Sequence, residues 1–438
     1  MKKTLMQLAQ EEEQNYSSPI VAAKINGEVR DIQSEYDHDD EISFIELNTS
    51  LGWRIYQRSI LFLFIVAVSN MNKEAEVVAK FTVNKGLYCE VKIPGKPINA
   101  HLIHDIEQEM REMIANNIPI VKHSIPRQEA IELFQAHGKR GKAALIASLP
   151  HSMISIYTCR NYPDYLYGAM LPETKLLGQF ALDVEQSGVL IRTPDEMTDG
   201  KIRTRVEQPK FGHILSEAKE WAKILECPYI SDLNQINTEH RMGELIRISE
   251  ALQEKRIAQI ADHIASHRNN IRLILIAGPS SSGKTSFAQR LQIQLRVNGL
   301  HPIMISLDDY FLNREDTPRN EKGQYDYESI DAIDTALFNQ NMLELLNGHK
   351  VQIPYYNLTG RREWKDDAFL SIHKDQPIII EGIHGLNERL TADIARKNKY
   401  KIYISALTQL NIDAHNRIPT TEVRFLRRLV RDHQFRGA

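Results

Sequence analysis

Ile271-Arg-Leu-Ile-Leu-Ile-Ala277 runs directly into Gly278-Pro-Ser-Ser-Ser-Gly283-Lys284-Thr285, and this junction decides the fold of the C-terminal third of the chain. The first stretch is apolar apart from Arg272, as befits a strand buried on both faces of a parallel sheet. After the loop, Phe287, Leu291 and Leu295 recur at helical spacing. Strand, glycine-rich loop and helix in that order make a phosphate cradle. The glycines let backbone amides turn inward onto phosphate oxygens, and the helix N-terminus adds a favourable dipole. The candidate nucleotide-binding residues are therefore Gly278, Pro279, Ser280, Ser281, Ser282, Gly283, Lys284, Thr285 and Ser286. Lys284 suits the β- and γ-phosphates and Thr285 suits magnesium. The Gly-x-x-x-x-Gly-Lys-Thr spacing fits a nucleoside triphosphate such as ATP rather than a dinucleotide.

Working outward, His301-Pro-Ile-Met-Ile-Ser-Leu307 reads as a second strand, ending in Asp308-Asp309. A carboxylate at that strand end faces the nucleotide crevice, where it could deprotonate an acceptor hydroxyl or hold magnesium. Gln376-Pro-Ile-Ile-Ile-Glu381-Gly382 reads as a third strand that delivers Glu381 to the magnesium region. His384 follows, either lining the pocket or lying in an ordinary loop. Arg424, Arg427, Arg428 and Arg431 recur on one helical face. Four arginines repel one another unless they meet anions, which suggests a lid closing over phosphates and excluding water.

The stretches GPSSSGKT, SLDDYF, GQYDYESIDAID, VQIPYYNL, IIIEGI and RFLRRLVRD resemble the phosphoribulokinase/uridine kinase family over roughly residues 270–438. The resemblance implies ATP and magnesium as cofactors and transfer of the γ-phosphoryl group to a small-molecule hydroxyl. It assigns catalysis to Asp308 as base, with Lys284 and the lid arginines Arg424, Arg428 and Arg431, and magnesium to Thr285 and Glu381. Asp308, Asp326, Tyr356, Arg361 and His384 fall on the acceptor side. Uridine kinases place a histidine shortly after the tyrosine, whereas Arg361 stands there in this chain. That departure leaves uridine and cytidine in question, and keeps a nucleoside as the favoured acceptor beside a sugar or sugar phosphate.

The front of the chain resembles threonyl-tRNA synthetase through NGEVRDI, HLIHDIEQEMREMIANNIPI and RQEAIELFQAHGK. That likeness implies a ubiquitin-like β-grasp module over 1–60 and an editing-like α+β domain over 61–205. A linker and connecting helix over 206–268 then lead to a P-loop kinase over 269–438. The editing motif positions hold Arg58, Phe62, Leu166 and Met170, so the resemblance implies an editing fold without its chemistry. A second function class, an ATPase associated with RNA or the ribosome, stays open on this front end. The combination resembles a bacterial group described as nucleoside kinases. Its members continue past the lid, so an end at Ala438 suggests truncation within the kinase core.

The fold class expected is multidomain α/β and α+β. Length sets a prior of about three domains. A formal charge of -3 argues against a chain-wide DNA or RNA surface. Three scattered cysteines suit a reducing compartment, hence the cytoplasm. The apolar run Ile60–Val68 is too short to span a bilayer and is expected to be a buried helix or strand. Around Ser124 and Pro126 the pattern predicts a helix start, and a long helix is predicted from Glu244 to about His267. A homo-oligomer is compatible with all of this.

Overall fold

A computed structural model describes residues 4–83, 86–185, 188–198, 200–206, 217, 220–357, 359–365, 369–406 and 410–435. The chain packs as two units. One comprises Met1–Arg241 with Gln409–Ile418, the other Met242–Thr408 with Pro419–Ala438.

In the first unit, α1 (Leu5–Glu12) precedes β1 (Ile20–Ile25), β2 (Glu28–Asp31) and β3 (Ile42–Glu46), an antiparallel sheet in the order β2-β1-β3. The β1–β2 turn falls at Asn26-Gly27, where the dipeptide predicts it. Next comes α2 (Ser50–Met71), whose first turn is capped by Thr49 Oγ1 accepting from the Gly52 amide at 3.1 Å. By length and composition α2 could cross a membrane, but here it is the core helix. Phe62, Leu63, Phe64, Val66, Ala67 and Val68 are all fully buried within the unit. Each large apolar side chain so buried contributes roughly 1.5–3 kcal/mol.

Around α2 pack β4 (Glu76–Val83), β5 (Gly86–Lys92) and α3 (Ala100–Ala115). Then follow β6 (Ile120–Pro126), α4 (Arg127–Ala136), α5 (Arg140–Ser148), β7 (Met153–Cys159), β8 (Tyr162–Asp164), β9 (Ala181–Glu185), β10 (Gly188–Arg192) and α6 (Ile230–Thr238). They form antiparallel sheets β4-β5-β10-β9 and β6-β7-β8. The helix start expected at Ser124 is corrected. Ser124 lies in β6, paired with Ser155 of β7, and the helix begins at Arg127 with Pro126 as its cap residue. Pairing with β7 satisfies this backbone up to Pro126, and the proline ends the strand instead of opening a helical turn.

The second unit opens with α7 (Met242–Ser266), close to the helix expected there. It continues with β11 (Leu273–Ala277), α8 (Lys284–Val297), β12 (Ile303–Ser306) and α9 (Thr335–Leu346). Short pairs β13 (Val351–Gln352) with β16 (Phe369–Leu370) and β14 (Tyr355–Tyr356) with β15 (Arg362–Glu363) follow. Last come β17 (Ile378–Glu381), β18 (Lys399–Tyr403) and α10 (Thr420–Phe435). The central sheet is parallel, in the order β12-β17-β11-β18. All five residues of β11 are buried. Period-two alternation sends Leu273 and Leu275 into one core with Tyr310 and Phe338, and Ile274 and Ile276 into another with Phe287, Leu291 and Ile264. The sheet is therefore covered on both faces, as its apolar run requires.

Candidate active site

Three parallel strands end level with one another: Glu381 of β17 sits opposite Ile276 of β11 and Ser306 of β12. The glycine-rich loop leaves β11 at that edge and enters α8. Gly278 is required by close approach, since a Cβ there would lie 2.2 Å from the Ile404 carbonyl oxygen. Gly283 has φ +99°, a conformation that costs a side chain but not glycine. Ser281 also takes a left-handed φ, +60°. Strain of this kind persists where surrounding structure enforces it, and functional loops are the usual place.

The loop holds unspent hydrogen-bonding capacity. The Ser281 and Ser282 hydroxyls are buried without a partner. No side chain caps α8, and the Lys284 ammonium makes only a long 3.4 Å contact to the Pro279 carbonyl oxygen among the described hydrogen bonds. Buried polar groups without partners mark a place where a ligand completes the network. Phosphate oxygens fit it, because donors surround the loop and the helix dipole favours an anion. Thr285 Oγ1 donates to Glu381 Oε1 at 3.2 Å. This hydroxyl–carboxylate pair is the oxygen set a hard divalent cation such as magnesium takes.

The charges here perturb one another. Asp308 is exposed at the strand end, with enough protein beside it to desolvate its carboxyl in part. Burial pushes its carboxyl above the usual range, against the pull of Lys284 and His384. Glu381 is likewise raised, first by burial and then by Asp308. Burial lowers the Lys284 ammonium; Glu381 and Asp308 oppose that shift, and Arg424 and Arg431 reinforce it. His384 is lowered by burial and has an unpartnered Nε2. These mutual effects bring Lys284, Asp308, Glu381, His384 and Arg431 into one electrostatic group.

Helix α10 contributes unequally. Arg424 Nε donates to the Ser280 carbonyl oxygen at 3.0 Å, and Arg427 Nε to the Ser281 carbonyl oxygen at 3.0 Å. Arg431 pairs with Asp432 at 2.8 Å. Arg428 turns to Asp432 at 3.4 Å and is 63% exposed. The helical-face argument groups 424, 427, 428 and 431 but does not separate Arg427, which reaches the loop, from Arg428, which turns aside.

Of the residues expected on the acceptor side, Tyr356 rests its ring 5.6 Å from Phe311, and its amide donates to Asp309 Oδ1 at 3.4 Å. Asp309 therefore positions the β14 strand next to Asp308. Asp326 accepts from the Glu328 amide at 3.1 Å. The Arg361 amide donates to Asn357 Oδ1 at 3.0 Å, and its side chain is exposed. Neither makes a hydrogen bond or ion pair to the phosphate loop among the described contacts.

In the first unit, the positions that the resemblance assigns to the editing motif are filled by core. Phe62, Leu166 and Met170 are buried, and the Arg58 guanidinium donates to the Ala169 carbonyl oxygen. Among the described residues no group of three His, Cys, Asp or Glu could hold a metal ion.

Over 224 residues the chain is 25% identical to the threonine–tRNA ligase of Methylococcus capsulatus, a match covering 51% of this chain and 34% of the ligase. The matches to such ligases lie in the N-terminal half. The chain thus spans about a third of the length of the curated relatives it matches. Among solved structures, one described as a "Possible Uridine Kinase from Bacillus stearothermophilus" matches with 23% identity and TM-score 0.25, over 31% of this chain and 70% of that one. The D-glycerate 3-kinase of Cryptococcus neoformans matches with 18% identity and TM-score 0.21, over 30% of this chain and 52% of that one. The model of the Phosphoribulokinase / Uridine kinase family matches residues 273–438 of the chain.

Proposed function

We propose that the second unit is an ATP-dependent small-molecule kinase that phosphorylates an alcohol hydroxyl, with a nucleoside as the favoured acceptor. The observation that carries this reading is the convergence of Lys284, Asp308 and Glu381 on a phosphate loop with two unpartnered buried hydroxyls. The loop residues 278–286 would hold ATP, and Thr285 with Glu381 would hold magnesium. Bound Mg-ATP supplies the phosphoryl group and neutralises its charge.

The chain's own residues do the rest. Asp308 orients the acceptor hydroxyl and takes its proton, and a carboxyl raised by partial burial is a stronger base than a solvated one. Lys284, Arg424 and Arg427 place fixed positive charge around the loop, where charge develops on the migrating group. Tyr356, held through Asp309, offers an aromatic face to the acceptor. The cationic side of α10 shields the loop from water, which limits wasteful hydrolysis. In the first unit, the filled motif positions support a recognition or structural role for the editing-like region rather than hydrolysis.

The test is product formation from radiolabelled ATP across nucleosides, sugars and sugar phosphates. A labelled small-molecule product is the expected result. ATP hydrolysis stimulated by RNA, with no such product, would replace this reading with the RNA-associated ATPase suggested by the ligase-like front end.

A further inference from the structure

A cavity of about 1060 Å³ lies far from this chemistry in sequence, within the first unit. That is ample for a ligand of nucleotide size. Its wall is built from α2, α4, the start of α5, β4, β8 and the segment Asp413–His415. Five Lys and Arg side chains line it, Lys73, Lys139, Arg140, Lys142 and Arg160, against three carboxylates, Glu74, Glu76 and Asp413.

The partners of these charges show which are already neutralised. Arg160 pairs with Glu109 at 3.0 Å, and Glu76 is drawn outward to Lys92 at 3.7 Å. Lys142 is buried against Asp164, whose other oxygen takes the His415 ring at 2.5 Å. Asp413 accepts from the His415 and Asn416 amides at 2.7 and 3.0 Å. Asp164, the carboxylate paired with Lys139 among the described ion pairs, is therefore already shared by Lys142 and His415, and Asp413 lies 3.6 Å from Lys142.

Lys139 is left short of an anion. Its ammonium lies 3.9 Å over the Tyr162 ring, donates to the Pro163 carbonyl oxygen at 3.3 Å, and stands 4.0 Å from Asp164. Burial pushes its pKa down to about 8, although Asp164 and Asp413 oppose that. A desolvated cation of this kind gains from any anion that enters beside it.

The backbone adds to the same preference. Lys139 is the cap residue of α5 and no side chain caps that helix. Arg140, Gly141 and Lys142 form its first turn and all line the cavity. A Cβ on Gly141 would meet the Tyr229 ring at 3.8 Å, so there is room beside this first turn. Ile65, Val68 and Tyr162 offer an apolar wall beside the cations.

We propose that this cavity binds a phosphorylated small molecule, with the phosphate at the start of α5 between Lys139 and Arg140 and the remainder against the apolar wall. The proposal does not depend on the kinase reading, since every residue in it belongs to the first unit.

The test is calorimetric titration of inorganic pyrophosphate into the full chain carrying Lys284→Ala, which weakens the other phosphate site. Saturable binding is expected. Adding Lys139→Met or Arg140→Gln should weaken it about tenfold or more, the scale of one charge-assisted hydrogen bond. Lys139→Arg should stay within about threefold. Arg140 is exposed, so its variant reports on the site without disturbing the core. Absence of binding, or binding unchanged in both Lys139→Met and Arg140→Gln, would overturn the proposal.

Discussion

The Thr285 hydroxyl donates to the Glu381 carboxylate across 3.2 Å, tying the first turn of α8 to the end of β17. In the proposed kinase this pair is the magnesium position. Thr285→Val keeps the shape and removes the hydroxyl, so the magnesium concentration needed for half-maximal transfer should rise about tenfold or more. A magnesium titration of the variant checks this.

Lys284 is half-buried, lowered in pKa by that burial, and weakly bonded within the protein. Lys284→Ala should cut phosphoryl transfer by about 10²–10³, the usual effect of losing one preorganised donor to developing charge. Far-UV circular dichroism should be unchanged, because no part of the core rests on the ammonium.

Folding raises the carboxyl pKa of Asp308 and of Glu381. Each group therefore keeps its proton to higher pH in the folded chain than in the unfolded one. Both contribute stability that is present below the unfolded pKa, about 4, and lost as pH rises through the folded value. Asp308→Asn should accordingly not lower the Tm at neutral pH, as thermal unfolding of the two chains would show. The same variant should abolish transfer. In the parent, the acid limb of kcat/KM should lie above the ordinary carboxylate range, because Asp308 acts only when deprotonated.

Arg427 and Arg428 adjoin in sequence and part company in space. Arg427 reaches the Ser281 carbonyl oxygen, and Arg428 faces Asp432. Arg427→Ala should lower transfer by about tenfold or more, as should Arg424→Ala, while Arg428→Ala should cost no more than about threefold. Steady-state rates of the three variants decide this.

Asp164 is fully buried. Burial alone would raise its pKa, but His415, Lys142 and Lys139 overcome that and hold the carboxyl well below the usual range. Asp164→Asn leaves Lys142 buried beside a neutral partner and should destabilise the first unit by about 3–5 kcal/mol. Adding Lys142→Met should recover part of the loss. Denaturant unfolding of single and double variants measures both.

Much of the second unit was legible in the sequence, because its signals are local. The apolar run 271–277, the loop 278–285 and the helical spacing of Phe287, Leu291 and Leu295 name strand, turn and helix within a few residues. The strand-end carboxylates Asp308 and Glu381 follow from the same reading. The first unit was less legible. Pro126 sits at a strand end rather than early in a helix because the long-range pairing of β6 with β7 outweighs a local capping pattern. The buried group Lys142, Asp164 and His415 joins positions up to 273 residues apart, and no periodicity announces it. The run Asn411-Ile-Asp-Ala-His-Asn-Arg417, unusually polar for a segment so buried, was the one available hint.

The most direct test of the central claim is transfer of label from [γ-³²P]ATP to a nucleoside panel by the full chain, with Asp308→Asn run in parallel. The account predicts a labelled nucleotide product from the parent and none from the variant, with ATP binding retained by both. Equal labelled product from parent and Asp308→Asn would contradict it, as would a parent that binds ATP and labels no small-molecule hydroxyl.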